Sequence, residues 1–238
     1  MKKKRVIVVM PAYNAAKTIK KTYTLIPKNI VDEIIVVDDA SSDKTVEVTK
    51  KLKVTLLIHK KNLGYGGNQK TCYSASLKAG ADIVVMLHPD YQYDPAYIKY
   101  LVAPIQDGSF DIMLGSRLRT RQEALKNGMP LYKYIGNRFL TLLENVVLGL
   151  NLSEYHTGYR AFGKQVLSSI DYKKFSNDFV FDQQILIAAH DKKFRIGEVF
   201  APGVYRKESS SINFRRSVKY GLTILWDLFA YKLGILKY

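Results

Sequence analysis

The 238-residue sequence predicts an α/β fold, with a mostly parallel central sheet flanked by helices and an amphipathic helix at the C-terminal end. Three observations predict it. Short apolar, β-branched runs alternate with helix-length segments over the first half of the chain, as right-handed crossovers between parallel strands require. The run 83–87 is continuously apolar rather than alternating, as a strand covered on both faces must be. Polar packets follow several of these runs, and ligands of open α/β sheets bind outside the carboxyl ends of the strands.

In chain order, residues 5–10 read as an apolar strand. A helix over 15–26 follows, with Asn14 as its cap and Pro27 as its stop. Residues 32–37 are a second, β-branched strand. Ser41 or Ser42 caps a helix over 43–52, and 54–58 is a third strand. Past a glycine-rich loop, 68–78 is helical. The fourth strand is 82–87, followed by a helix from Pro95, a residue tolerated in a first turn. Residues 111–115 make a fifth strand. In the second half, 131–150 is a long helix whose apolar positions Leu131, Ile135, Phe139, Leu142, Val146 and Leu150 mark one buried face. Residues 179–190 form a helix and 194–200 a strand. The C-terminal helix, 214–236, carries Phe214, Val218, Leu222, Leu225, Phe229, Leu233 and Leu236 on one side. The chain divides into an α/β domain over 1–210 and a C-terminal amphipathic helix over 211–238.

Composition narrows the class. Apolar residues make up 47% of the chain, enough for a sizeable core. One cysteine, Cys72, excludes an internal disulfide framework and suits a reducing compartment. The basic start runs into an apolar stretch too short for a signal-peptide core, and no uncharged apolar stretch reaches membrane-spanning length. The net charge of +16 favours polyanions: nucleic acid, anionic headgroups or phosphorylated substrates. Without a recognised nucleic-acid-binding module, no nucleic acid is expected.

The packets carry the chemistry. His88-Pro89-Asp90-Tyr91-Gln92 follows the fourth strand, and Asp90 and Gln92 are hard oxygen donors suited to Mg²⁺ or Mn²⁺. An ordinary strand-to-helix loop with Asp94 as N-cap is the alternative. Tyr13, after the first strand, offers a flat face to a base. Asp38-Asp39 at the end of the second strand repel each other unless something pairs with them. Asn62-Leu63-Gly64-Tyr65-Gly66-Gly67 either approaches a pyrophosphate or makes a tight turn needing positive φ. Arg117, after the fifth strand, can clamp a phosphate. His59, His156 and His190 lack metal-ligand spacing and read as structural.

Taken together, Pro11-Ala12-Tyr13-Asn14, Val37-Asp38-Asp39-Ala40-Ser41-Ser42-Asp43, Asn62-Leu63-Gly64-Tyr65-Gly66, His88-Pro89-Asp90-Tyr91-Gln92 and Gly115-Ser116-Arg117 resemble, in order and spacing, the inverting glycosyltransferase family 2 with its GT-A, Rossmann-like fold. Thr157-Gly158-Tyr159-Arg160-Ala161-Phe162 and the Arg206 region are most similar to its polyprenyl-phosphate (dolichyl-phosphate) sugar transferase branch. The resemblance implies a nucleotide-sugar donor, GDP- or UDP-linked, and a polyprenyl-phosphate or glycan acceptor. Pro11, Tyr13, Val37, Asp39, His88, Pro89, Asp90, Arg117 and Arg206 would bind the donor. Asp90 and Gln92, with His88, would hold the metal.

Two departures stand out: Ala15 where the family has Glu, and His88 in place of the first acid of the metal motif. Neutral imidazole suits Mn²⁺ better than Mg²⁺. Glu154 would orient the acceptor or act as base, with Asp182 as its rival. A phosphate acceptor is already an anion and needs no obligatory base. The Arg206 loop and the amphipathic helix suggest peripheral attachment at the cytoplasmic face of a membrane. A saccharide acceptor, or binding of a nucleotide-sugar without turnover, are the alternatives.

Overall fold

The structure, a computed structural model, describes residues 3–205 and 214–236. The strands β1 (Val6–Ala12), β2 (Glu33–Asp38), β3 (Thr55–Ile58), β4 (Ile83–Met86), β5 (Ile112–Ser116), β6 (Arg160–Gly163) and β7 (Ile196–Phe200) form one sheet in the order β3-β2-β1-β4-β6-β5-β7. The helices are α1 (Ile19–Leu25), α2 (Thr45–Lys50), α3 (Tyr65–Lys78), α4 (Ile98–Gln106), α5 (Arg121–Lys126), α6 (Leu131–Leu148), α7 (Lys164–Ser169), α8 (Phe181–Asp191) and α9 (Phe214–Lys232).

The continuous apolar runs are explained by what lies on the two sheet faces. Side chains alternate across a strand. Ile7, Val9, Ile35, Val37, Val84 and Met86 enter one core cluster with Tyr73 of α3, Leu140 of α6, Ile185 of α8 and Ile224 of α9. Val6, Val8, Met10, Ile34, Val36, Ile83 and Val85 enter a second, with Ile19 of α1 and Ile98 and Leu101 of α4. Each residue of β1 and β4 therefore needs an apolar side chain, whichever face it points to.

One strand breaks the parallel pattern. β6 runs antiparallel between β4 and β5, pairing Arg160 with both Met86 and Leu114. Four residues, the last of them Gly163, are too short to show a period in the sequence. The consequence is functional. An antiparallel strand brings its beginning to the edge where its neighbours bring their ends, so Thr157-Gly158 lies beside His88 and Arg117.

Local boundaries also move. α1 begins at Ile19, not at residue 15. Asn14 is not its cap: it sits at φ 51°, and its side-chain oxygen accepts from the backbone N–H of Ser42 at 2.9 Å, tying the loops after β1 and β2 together. In place of a serine cap, Asp43 accepts from Thr45 N–H at 2.9 Å before α2. α3 starts at Tyr65, so Gly66 and Gly67 are helical. A Cβ on Gly66 would stand 2.4 Å from the carbonyl oxygen of Ser176, and Gly66 N–H donates to the Asn177 carbonyl at 2.8 Å. The glycines admit the 176–177 backbone rather than a pyrophosphate, and Gly64, at φ 84°, supplies the turn.

The largest correction concerns α6. Its apolar stripe is not the buried face. The buried residues are Asn137, Leu140, Thr141, Glu144 and Leu148, while Leu131, Ile135, Phe139, Leu142 and Val146 face outward. The mixed face is inward because it supplies polar partners: Asn137 donates to Glu154 at 2.8 Å and Glu144 accepts from Gln183. α9 lies alongside α6 and α8 through Ile224, Asp227, Leu228 and Ala230. Gln184 donates to Asp227 at 3.0 Å, and Tyr231 meets His190 at 3.3 Å.

Candidate active site

The carboxyl edge of the sheet opens into a cavity of about 210 Å³. Its lining includes His88, Asp90, Gln92, Arg117, His156 and Asp182, with Tyr65, Lys133, Tyr205 and Tyr220 around them. Each group arrives there for a topological reason. β4 ends at Met86 and delivers His88, Asp90 and Gln92. β5 ends at Ser116 and delivers Arg117. Asp182 opens α8, and Lys133 lies in the first turn of α6.

The 88–94 loop is strongly shaped. Tyr91 has φ 58°, and Asp90 accepts from Gln92 N–H at 3.0 Å, so Asp90 and Gln92 are held together and nearly buried. Asp94 does cap the following turn, accepting from Ala96 N–H at 2.9 Å, so the loop is both an ordinary cap and a donor packet. Pro89 lies behind it, its carbonyl accepting from Thr22 at 3.2 Å.

His88 is fixed from two sides. Its ring stacks on Tyr65 with centroids 5.4 Å apart, and Nε2 lies 3.2 Å from the Tyr65 hydroxyl. That hydroxyl donates to Asp182 at 2.7 Å. Its proton is therefore spent on Asp182, and Nε2–H of His88 donates to the tyrosine oxygen. Burial lowers the His88 pKa against the opposing pull of Asp90 and Asp182, which keeps the ring neutral. Neutral imidazole with its proton on Nε2 leaves the Nδ1 lone pair free to act as ligand or acceptor. Gly158 makes room for the ring: a Cβ there would stand 2.6 Å from Nε2.

Arg117 is built in from below. Its backbone N–H and Nε donate to the Glu154 carboxylate at 2.6 and 2.9 Å, and Nη2 also bonds to it. Nη1 reaches the Tyr205 hydroxyl at 2.8 Å and Nη2 the His156 carbonyl at 2.8 Å. Glu154 is fully buried, and burial pushes its carboxyl up, but the Arg117 charge together with hydrogen bonds from Arg117 and Asn137 holds it below the usual range. The bonds from Arg117 and Asn137 occupy the Glu154 carboxylate and fix the direction of the guanidinium. Lys133, in the same lining, has its pKa lowered by burial and by Arg117. Two cations thus share one wall, as an anionic ligand requires.

Asp182 accepts from Tyr65 and from Gln69 at 3.0 Å, while the buried Arg160 lies 4.0 Å away and donates to the Asp182 backbone carbonyl. Arg160 also bonds the carbonyls of Thr157 and Tyr155 at 2.7 and 2.8 Å, and so shapes the whole 155–160 segment.

The residues expected around the nucleoside lie elsewhere on the same edge. Tyr13 is 54% exposed, with a free ring face. Pro11 is partly covered at the end of β1. Asp39 is buried, not solvated: it accepts from Leu63 and Gly64 N–H at 2.8 and 3.1 Å and pairs with His59 at 2.7 Å. Asp38 accepts from Ser41 N–H at 3.0 Å. The Val37 side chain lies in the core, because β2 is covered on both faces, so only its backbone reaches this edge. Arg206 falls outside the described residues. Lys133 carries no motif in the sequence, and Tyr205 and Tyr220 read there only as parts of the basic loop and of the amphipathic C-terminal helix. Lone basic and aromatic residues on helices carry no spacing signal; only the packing of α6 and α9 across the strand ends brings them in.

The residues present fit a divalent cation of the kind that also takes substrate oxygens. Among the described residues no cluster of three acidic, histidine or cysteine side chains stands ready as a cage. Asp90 and Gln92 side by side, with His88 Nδ1 available, match a cation held by one carboxylate and completed by phosphate.

Comparison with known proteins identifies the family and the fold. A family model described as "Glycosyl transferase family 2" matches residues 7–171. A UDP-N-acetylglucosamine–dolichyl-phosphate N-acetylglucosaminyltransferase of Methanococcus voltae is 30% identical, the match covering 98% of each chain. An uncharacterized protein of Methanocaldococcus jannaschii is 31% identical over 97% of this chain and 93% of its own. Among solved structures, glucosyl-3-phosphoglycerate synthase of Mycobacterium tuberculosis, in complex with Mn²⁺, uridine diphosphate and phosphoglyceric acid, superposes with a TM-score of 0.73. It is 19% identical, with 98% of this chain and 80% of that one covered. The fold is thus the GT-A arrangement, and with more than half its length matched, the chain belongs to glycosyl transferase family 2.

Proposed function

We propose that this glycosyltransferase moves a sugar, with inversion, from a GDP- or UDP-sugar to a polyprenyl phosphate at the cytoplasmic face of a membrane. The observation that carries the reading is that Arg117 and Lys133 line the same cavity as the Asp90–Gln92 pair. A phosphate acceptor needs cations, the donor diphosphate needs a metal, and both stand in one space. The Methanococcus voltae relative, named for a UDP-sugar and dolichyl phosphate, supports the same pairing.

Each residue then has a task. Asp90 and Gln92, with His88, would hold Mg²⁺ or Mn²⁺, which would supply positive charge to the diphosphate leaving group. Arg117, fixed by Glu154 and Tyr205, presents its guanidinium to phosphate oxygen without reorganising. Lys133 adds a second positive group. Tyr13 covers the base, and Arg206 contributes to phosphate binding. The acceptor phosphate is itself the nucleophile and attacks the anomeric carbon in line. With its carboxylate occupied by Tyr65 and Gln69, Asp182 serves to hold Tyr65, and through it His88, in place.

Incubation of the chain with radiolabelled UDP-N-acetylglucosamine, other UDP- and GDP-sugars, polyprenyl phosphate and Mn²⁺, followed by solvent extraction, tests the reading. Label in the organic phase is the expected result. Label that stays in the aqueous phase on a saccharide acceptor overturns the lipid assignment and moves Asp182 to the part of base.

A further inference from the structure

α6 and α9 each carry two stripes, and on both helices the apolar stripe faces outward. On α6, Leu131, Ile135, Phe139, Leu142 and Val146 are 54–71% exposed; on α9, Val218, Leu222, Trp226 and Phe229, with Leu233 just past its end, are 46–63% exposed. The steps along the two stripes are the same: four, four, three and four residues. The helices are neighbours. Tyr132 meets Phe214 ring to ring at 5.4 Å, and Leu140 lies 3.7 Å from the place of a Cβ on Gly221. Both contacts advance in the same chain direction, so the helices run side by side. Their inner residues Leu140, Leu148, Ile224 and Leu228 enter one core cluster, which leaves the two outer stripes as one adjoining surface.

Its charge is of one sign. The exposed charged residues described on these helices are Arg138, Arg215, Arg216, Lys219 and Lys232, all basic; Arg216 also reaches Asp178 at 3.4 Å. The two acids of the helices, Glu144 and Asp227, are turned inward. Arg215 and Lys219 border a shallow depression floored by Val218, Leu222 and Trp226. No helix among the described residues is long and apolar enough to cross a membrane. A surface this apolar on a folded domain marks a contact site.

We propose that the α6–α9 face docks in the plane of an anionic lipid bilayer, with both apolar stripes at the acyl boundary and the basic residues among headgroup phosphates. Charge selects this occupant. A second copy applied to the same face would oppose basic residues to basic residues, whereas an anionic bilayer offers apolar depth and negative charge together. Position agrees. The cavity is lined by Tyr132, Lys133 and Gly136 of α6 and by Ser217 and Tyr220 of α9, so it opens beside the docking face. An acceptor anchored in the bilayer presents its phosphate there without leaving the lipid. That purpose rests on the lipid-phosphate reading above; the docking itself does not.

Co-sedimentation of the intact chain with phosphatidylcholine vesicles, with or without phosphatidylglycerol and with no donor present, tests the surface. Binding is expected, and stronger with phosphatidylglycerol. Leu142→Glu combined with Phe229→Glu should lower it by about tenfold or more, and Arg215→Glu or Lys219→Glu by roughly fivefold each on anionic vesicles. Val146→Gln with Leu233→Gln keeps the test open if the glutamates disturb folding, which far-UV circular dichroism reports. Transfer to a short, water-soluble prenyl phosphate should be unchanged by Leu142→Glu/Phe229→Glu. Wild-type chain that fails to pellet, or variants that pellet equally, overturn the proposal. So does a dimer in light scattering that the same substitutions dissolve. Vesicle binding without transfer to any prenyl phosphate supports the docking surface and overturns the acceptor reading instead.

Discussion

Glu154 holds Arg117 through both its backbone N–H and its guanidinium, at 2.6 and 2.9 Å, in a pair whose acid is fully buried. The two residues are 37 positions apart in sequence and bring β5 and the segment before β6 to one wall of the cavity. Removing the acid strands a cation that is already out of water. Glu154→Ala is therefore expected to cost about 3–5 kcal/mol in urea unfolding. Arg117→Lys keeps the charge but loses the fork; its unfolding midpoint should fall less, while its KM for donor or acceptor rises.

Gly158 is adjacent to the His88 ring with no space for a methyl group. Gly158→Ala should displace the imidazole, at a cost of about 1–3 kcal/mol for overpacking. Metal-dependent transfer should fall more than stability does. Steady-state rates beside a thermal melt separate the two effects, and equal losses would assign Gly158 to packing alone.

Asp90→Asn should abolish metal-dependent transfer while leaving the melting temperature in the absence of metal nearly unchanged, because the amide keeps the bond from Gln92 N–H. In the wild type, donor with Mn²⁺ should raise the melting temperature, since a ligand bound only by the native state stabilises it. The variant should lose that rise. Full activity in Asp90→Asn would remove this residue from the site.

Asp182 discriminates between acceptor classes. A general base contributes on the order of 10²–10⁴-fold. A phosphate acceptor makes no such demand, so Asp182→Asn should slow transfer to a polyprenyl phosphate by less than about tenfold and flatten no limb of the pH–rate profile. A hundredfold loss together with a vanished acidic limb would mark Asp182 as the base.

Glu144 links pH to stability. Burial raises its pKa above the ordinary 4.5, with His156, 3.2 Å away, opposing the rise. A carboxyl whose pKa is raised on folding contributes stability that is fully present below its ordinary value and is lost as pH rises through the folded value. Glu144→Gln removes that dependence and keeps an acceptor for Gln183. Its melting temperature should vary less than the wild type's as pH rises above 4.5, and at pH 7 should equal or exceed it.

Much of the site was legible because it is local. The β-branched runs are buried on two faces and must be apolar throughout, and the packets at their ends must be polar because they leave the core there. Asp90, Gln92 and Arg117 could be named from those ends alone. β6 was not legible: four residues show no period, and its direction is set by pairing with Met86 and Leu114. α6 was legible as a helix and misread as to its face. Periodicity reports that one side is apolar, but which side turns inward was decided by Glu154 and Gln183, distant in sequence, which need Asn137 and Glu144.

The sequence by itself determined the alternating fold, the polar edge and the family, because these follow from side-chain period and from motifs of a few adjacent residues. Only the tertiary structure decided that Glu154 serves Arg117, that Tyr65 spends its proton on Asp182 and leaves His88 Nδ1 free, and that two apolar stripes remain outside. Each of those depends on which distant groups satisfy a buried charge or hydrogen bond, and no local pattern records that.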